Sequence, residues 1–319
     1  MKIENCYNED YTFVDVRAPI EFKEDHIPGA INIPLLSDEE RAIVGTLYKK
    51  EGKENAIDKG LEFISPKLPE MINKYKKLKN IIIYCFRGGM RSNSIASLLN
   101  SMDIEVEVLE RGYKEYRKFV MEKLEKVKIN NLHILYGLTG SGKTEILNQL
   151  PNSLDLEGCA QHRGSIFGDI NLEPKSQKFF ESLLLIRITE LKDEKLIFTE
   201  GESRKIGKVQ IPLAIWKEMQ KAKKIKVVNT IEQRVDRIYK EYCNKIDIDL
   251  FCSKLDMIVK YLGNKKVAEL KELLKENKLK EFIKIILLEY YDKLYAHTID
   301  SKEYEFEIND KKELLSHLP

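Results

Sequence analysis

Short apolar runs bounded by polar residues recur through the first third of the chain. Residues 11–15 and 81–84 read as buried strands, the second running straight into Cys85. Between them Ser37-Asp-Glu-Glu40 opens a helix reaching about Lys50, because the Ser oxygen and the Glu three residues on can satisfy free amide donors at its start. Residues 92–102 predict another helix and 105–109 a third strand. This β/α alternation favours a small parallel sheet covered by helices. A charged, helical pattern over 119–131 ends in polar residues, after which 132–136 form an apolar strand, a glycine-rich loop follows, and 145–150 continue as a helix. The pattern places a boundary between residues 1–128 and 129–319, the second part being another α/β domain. Residues 196–200 and 224–228 are its further strands. Residues 265–297 form one long helical region with Leu270, Leu273, Leu274, Phe282, Ile285 and Ile286 as its apolar positions.

Composition agrees with two soluble domains. The 319 residues are 43% hydrophobic and 33% charged, with 16 Gly and 9 Pro. No signal-like start and no apolar stretch of about 18 residues is present, so a cytoplasmic, soluble location and no membrane contact are expected. The five cysteines, at 6, 85, 159, 243 and 252, include no C-x-x-C pair and suggest neither disulfides nor a zinc site. A net charge of +2 argues against a nucleic-acid partner until its distribution is read. Residues 203–245 hold twelve basic and four acidic side chains, with Trp216, Tyr239 and Tyr242 among them, a stretch suited to RNA phosphates and bases.

Two anion cradles carry the candidate chemistry. Gly137-x-x-x-x-Gly142-Lys143-Thr144, between a strand and a helix, matches a phosphate-binding P-loop. Backbone amides of Gly137, Thr139, Gly140, Ser141 and Gly142 can turn toward phosphate oxygens, Lys143 adds a point charge, and Thr144 can ligand Mg²⁺. In the other, Cys85-Phe-Arg87-Gly-Gly-Met-Arg91 follows a strand and precedes a helix N-terminus, which stabilises a thiolate and an oxyanion beside it; Cys85 is a candidate nucleophile. Glu200 or Glu202, after a strand of the second domain, is a candidate Mg²⁺ ligand, and Arg204 a candidate phosphate contact. Cys159-x-x-His162 supplies only two ligands, so no metal held by protein side chains alone is expected there. Packing is the expected role of Cys243 and Cys252.

Asp15-Val-Arg17-Ala-Pro-Ile-Glu21-Phe-Lys-Glu-Asp25-His26 through Pro34 resembles the opening signature of rhodanese domains, and Cys85 to Arg91 resembles their active-site loop. Asp25 stands where rhodaneses usually have Gly, with only a local change of turn expected, and the likeness gives His26 a structural turn role. The five residues between Cys85 and Arg91 also match cysteine phosphatases of rhodanese fold. One alternative is therefore a rhodanese-type sulfurtransferase or phosphatase fused to a P-loop kinase or ATPase. The chain from 15 to 207 resembles more closely the tRNA 2-selenouridine synthases, in which a rhodanese domain precedes a P-loop domain. The likeness rests on Leu35 to Tyr48, Tyr84-Cys-Phe-Arg-Gly-Gly-Met-Arg-Ser92, Gly137 to Thr144, His162-Arg163-Gly-Ser-Ile-Phe-Gly168 and Glu200-Gly-Glu-Ser-Arg-Lys-Ile-Gly207. Phe86 replaces a Trp frequent in that family.

The resemblance implies a transferase acting on the wobble 2-thiouridine of tRNA. It geranylates the sulfur from geranyl diphosphate and then replaces the S-geranyl group with selenium from selenophosphate. By that likeness Cys85 forms an S-selanylcysteine intermediate with Arg87 and Arg91 holding the oxyanion, and the P-loop binds geranyl diphosphate. His162, Arg163, Glu200, Glu202 and Arg204 are expected to contact Mg²⁺ or substrate. No tightly bound cofactor is expected beyond Mg²⁺ at the P-loop.

Overall fold

The computed structural model describes residues 1–7, 10–242 and 247–318. Cys243 and Lys245 lie outside the described residues. The chain divides into two compact units, Met1–Lys126 with Glu181–Leu185, and Val127–Phe180 with Ile186–Pro319.

The first unit is built on strands β1 (Thr12–Asp15), β2 (Ile31–Asn32), β3 (Ile81–Tyr84) and β4 (Val106–Val108), all parallel, in the order β2-β1-β3-β4. Helices α1 (Pro19–Glu24), α2 (Asp38–Lys50), α3 (Lys53–Ile64), α4 (Leu68–Tyr75), α5 (Met90–Asn100) and α6 (Gly112–Glu125) supply the connections that parallel pairing requires. The expected capping box starts α2: Ser37 Oγ accepts from the Glu40 amide at 3.2 Å and the Glu40 carboxylate accepts from the Ser37 amide at 2.7 Å. All four residues of β3 are buried, as befits a strand flanked by β1 and β4. Val14, Val16, Ile33, Ile81, Ile83, Ile95 and Leu99 belong to the core around it. Register pairs Asp15 with Tyr84, so the chain leaves β1 and β3 at neighbouring points of one sheet end, where open α/β sheets place their ligands.

The second unit has β5 (Leu132–Tyr136), α7 (Lys143–Leu147), β6 (Ser153–Leu154), α8 (Leu156–Ala160), α9 (Gln177–Glu190), β7 (Ile197–Glu200), the antiparallel pair β8 (Lys205–Ile206) and β9 (Val209–Gln210), α10 (Leu213–Lys221), β10 (Lys223–Val227) and α11 (Ile231–Tyr242). It continues with α12 (Ile248–Asp256), α13 (Val259–Leu262), α14 (Asn264–Lys275), α15 (Leu279–Ile286), a π-helical turn Leu287–Tyr291, α16 (Asp292–Asp300), β11 (Phe306–Ile308) and α17 (Lys311–Ser316). Its five-stranded sheet runs β11-β10-β5-β7-β6, parallel throughout, with β5 and its glycine-rich loop at the centre.

Two expectations change. The helical stretch 265–297 is interrupted at Asn277, which adopts φ 57 and ends α14, whereas α15, the π turn and α16 follow one another without a break. Folding these short helices on one another buries Leu270, Leu273, Leu274, Phe282, Ile283 and Ile286 in one cluster. The second change is β11, whose three residues Phe306-Glu-Ile308 are too short and polar to announce a strand, yet pair with β10 at the sheet edge. Among the described residues no helix is long and apolar enough to cross a membrane.

Candidate functional site

Cys85 is buried at the end of β3, and the loop beyond it wraps back over the thiol. The Gly89 amide donates to Cys85 Sγ at 3.3 Å, and the Ser92 hydroxyl lies 3.3 Å from the same sulfur. Loop closure depends on Gly112, at φ 57: a Cβ there would stand 2.1 Å from the Cys85 carbonyl oxygen. The Tyr113 amide bonds that carbonyl at 2.9 Å. Burial pushes the thiol pKa up, but the hydrogen bonds from the Ser92 side chain and from the Ser92, Arg87 and Gly89 amides outweigh it and hold Cys85 below the ordinary thiol value. Burial instead raises Cys6 to about 11 and Cys159 to about 12. Cys85 should therefore be the first of these three to be alkylated by iodoacetamide as pH is raised from about 6 to about 9, read by peptide mass spectrometry. Earlier alkylation of Cys6 or Cys159 would contradict this order.

The two arginines of this loop have different surroundings. Arg91 Nη1 lies 3.3 Å from Glu21, whereas Arg87 is exposed beside the Phe86 ring. Behind the loop, Arg17 forms a buried pair with Asp15 at 2.6 Å and lies over the Tyr113 ring at 4.1 Å. Its Nη2 also donates to the Asp25 carbonyl at 2.7 Å, and Asp25 has φ −171, an extended backbone that needs no glycine. His26 stacks on Phe22 with ring centroids 3.8 Å apart, and its Nδ1 lies 2.8 Å from the Phe22 carbonyl, a structural arrangement.

In the second unit the glycine-rich loop joins β5 to α7, and Lys143 Nζ folds back onto the Gly137 carbonyl at 2.9 Å. Two arginines of α11 grip the loop from outside. The buried Arg234 donates to the Thr139 carbonyl at 2.9 Å and forms a two-pronged pair with Asp292 of α16, at 3.0 and 2.6 Å. Arg237 donates to the Gly140 carbonyl at 2.8 Å and to Glu145 at 2.7 Å. Asn229 holds the Ser141 carbonyl at 2.7 Å.

Glu157 and Glu202 interact with Lys143, and Glu200 and Asp155 act on Glu157 from behind. Glu200, at the end of β7 beside β5, is wholly buried; its Oε1 accepts from the Glu157 amide at 2.6 Å and its Oε2 has no hydrogen-bond partner among the described residues. Glu157 accepts from the Thr144 hydroxyl at 3.3 Å. Burial, and then the charge of Glu202, push Glu157 up to about 8 against the pull of Lys143. Glu200 is raised by burial first and by Asp155 and Glu157 next; burial also raises Glu202, opposed by Lys143. No three His, Cys, Asp or Glu side chains among the described residues are placed to hold a metal ion by themselves. Thr144 with a neighbouring carboxylate does fit the fewer protein oxygens that Mg²⁺ uses when phosphates supply the rest.

The glycine-rich loop opens into a cavity of about 1280 Å³. Gly137, Thr139, Gly140, Gly142, Lys143, Thr144, Glu157, Glu202 and Arg204 line its polar part, and Phe167, Phe251, Phe282, Ile283, Ile286 and Tyr291 line an apolar part. The π turn contributes Leu287 and Tyr291, and the Tyr291 hydroxyl is bonded to Ser165. Glu202 reaches this cavity while Glu200 stays beneath it. His162 does not line it: its Nδ1 accepts from the Gly164 amide at 3.1 Å, and burial lowers its pKa. Arg163 lines the cavity but is held by Glu241 and by the Ile170 carbonyl, the latter at 2.9 Å.

The basic stretch 203–245 is less free than its charge suggests. Lys221, Lys223, Lys226, Arg234 and Arg237 all pair with carboxylates, and Glu305, Glu307, Asp292 and Glu145 among those partners come from outside the stretch. Arg204, Lys205 and Lys208 are exposed around the β8–β9 turn. Glu157 and Ile238 escaped the sequence reading, as did the place of Phe167, Phe251 and Phe282 in the cavity. The spacing of Arg234, Arg237 and Ile238 on one face of α11 was the available signal that this helix covers another element.

Comparison with known proteins agrees with this architecture. The family description "tRNA 2-selenouridine synthase AAA domain" matches residues 130–318, and "Rhodanese-like domain" matches residues 3–119. A tRNA 2-selenouridine synthase of Shewanella piezotolerans is 33% identical over 92% of this chain and 90% of its own. Those of Nitrosomonas europaea and Pseudomonas syringae pv. tomato are 37% identical over 73% of this chain and 64% of theirs, and 33% identical over 93% and 91%. A solved N-terminal domain of an ATP/GTP binding protein from Clostridium difficile 630 is 49% identical, covering 38% of this chain and 97% of that one with a TM-score of 0.37.

Proposed function

Because this chain belongs to the tRNA 2-selenouridine synthase family, we propose that it modifies the wobble 2-thiouridine of tRNA in two transfers, one in each unit. In the second unit the 2-thiouridine sulfur attacks C1 of geranyl diphosphate. The C1–O bond breaks, pyrophosphate leaves and the uridine loses its N3 proton. In the first unit Cys85 takes selenium from selenophosphate as S-selanylcysteine: the P–Se bond breaks, water completes orthophosphate, and a small-molecule disulfide accepts the two electrons. The outer selenium then attacks C2, the S-geranyl group departs as geranyl thiol, and two thiols cleave the Se–S bond, restoring Cys85 and leaving selenium on C2. The observation that carries this reading is the cavity in which a phosphate cradle with Lys143 meets an apolar wall of Phe167, Phe251 and Phe282, matching a ligand with a diphosphate head and a hydrocarbon tail.

Gly137 to Thr144 hold the diphosphate by backbone amides, and Lys143 exchanges the Gly137 carbonyl for phosphate oxygen when the ligand enters. Thr144 with Glu157 or Glu202 would hold Mg²⁺, which neutralises charge on the departing pyrophosphate. In the first unit the amides that now bond Cys85, together with Arg87 and Arg91, face the oxyanion of selenophosphate, for which Arg91 must loosen its link to Glu21.

The test supplies 2-thiouridine tRNA with geranyl diphosphate and then selenophosphate in a thiol–disulfide buffer, with mass spectrometry of the nucleosides. The expected sequence is S-geranyl-2-thiouridine followed by 2-selenouridine. Nucleoside that stays 2-thiouridine after incubation with geranyl diphosphate would overturn the first transfer.

A further inference from the structure

The floor of the apolar part of the cavity is a packed aromatic wall. Phe167 stacks on Phe251 with ring centroids 5.4 Å apart, and Phe282 meets both edge-on at 6.3 and 6.2 Å. They come from the segment after α8, from α12 and from α15, and each is buried. Tyr242 braces the Phe251 edge at 5.9 Å while its hydroxyl donates to the Phe167 carbonyl at 3.3 Å. Such a wall is held from several elements at once and cannot recede without unpacking the core behind it.

The route from the phosphate cradle to this wall is defined by Ile238. Gly140, at φ 78, faces that side chain so closely that an added Cβ would lie 2.8 Å from Ile238 Cδ1. Ile238 packs in turn against the cluster that contains Phe167, Phe251, Phe282, Ile283 and Ile286. A hydrocarbon tail attached to a diphosphate on the loop therefore passes over Ile238 and runs toward the three phenylalanines.

We propose that the Phe167–Phe251–Phe282 wall sets the length of the allylic tail the second unit accepts, with Phe282 as the specificity-determining residue. This rests on the reading of the cavity as an allylic diphosphate site. The wall is apolar and carries no hydrogen-bonding group of its own, so it discriminates by space alone. Opening that space should favour tails one isoprene unit longer, since each methylene admitted or refused in an apolar pocket changes discrimination by about tenfold or more.

The experiment compares the full chain with its Phe282→Ala and Phe282→Leu variants, using thiolated tRNA and dimethylallyl, geranyl, farnesyl and geranylgeranyl diphosphates. The ratio of kcat/KM for farnesyl over geranyl diphosphate should rise at least about tenfold in Phe282→Ala and less in Phe282→Leu. Inhibition by inorganic pyrophosphate, which reads the phosphate cradle alone, should stay within about twofold of the parent chain. The leucine variant retains most of the packing and keeps the comparison decisive if the alanine variant is too unstable to assay. Unchanged chain-length ratios in a variant that still turns over geranyl diphosphate would overturn the role of the wall. A parent chain that transfers no allylic group of any length would overturn instead the reading on which the proposal rests.

Discussion

Lys143→Ala should slow transfer of the geranyl group to thiolated tRNA by about 10²- to 10³-fold, while tRNA geranylated beforehand should still be converted to 2-selenouridine at the parent rate. The ammonium is the one flexible cation of the glycine-rich loop, and it rests on the Gly137 and Leu138 carbonyls at 2.9 and 3.5 Å. In the proposed transfer this is the only side-chain cation of the loop itself that would meet the charge growing on the leaving pyrophosphate, beside the loop amides and Mg²⁺. Removing a preorganised group of this kind costs about 10²- to 10³-fold in rate, equivalent to about 2.7–4 kcal/mol. The loop itself should survive, because Arg234, Arg237 and Asn229 hold the Thr139, Gly140 and Ser141 carbonyls independently of Lys143. Nucleoside mass spectrometry with separately prepared 2-thiouridine and S-geranyl substrates reads the two steps apart. Equal loss of both activities would break the division of labour between the units.

The second large effect is the mirror image. Cys85→Ser should leave geranylation intact and bring selenation to the background level, a loss of about 10³-fold or more if the thiolate is the selenium carrier. Serine is close in shape and can accept from the Gly89 amide and bond Ser92 as the thiol does, so the loop that Gly112 closes over residue 85 should persist. The loss then reports the chemistry of sulfur rather than collapse of the cradle: a hydroxyl does not ionise near neutral pH and carries no selenium. Full selenation by the serine variant would remove Cys85 from the mechanism.

The first unit was readable in detail because its signals are local. The Ser37 capping box, the apolar run 81–84 and the glycines after Cys85 each act on residues a few positions away, and the structure shows the helix, the strand and the wrapped loop they specify. The cradle of the second unit was legible for the same reason. The arginines of α11 were not. Arg234 and Arg237 read as part of a basic stretch facing RNA, yet their partners are loop carbonyls and the acids Asp292 and Glu145. The apolar cavity stayed hidden as well, since Phe167, Phe251 and Phe282 look like ordinary core positions of separate segments.

What the chain order alone determined, then, is the pair of anion cradles, each a strand, a glycine-bearing loop and a helix start within a dozen or so residues, and with them the α/β class of both halves. The tertiary structure decided what each cradle adjoins. The break at Asn277 folds α15 against α14, these helices with α12 and the π turn at 287–291 supply the cluster whose aromatic rings line the cavity beyond the phosphate loop, and α11 brings Ile238 to bridge the two. Periodicity marks which positions are buried but not which buried surfaces meet, because that depends on packing between segments far apart in the chain.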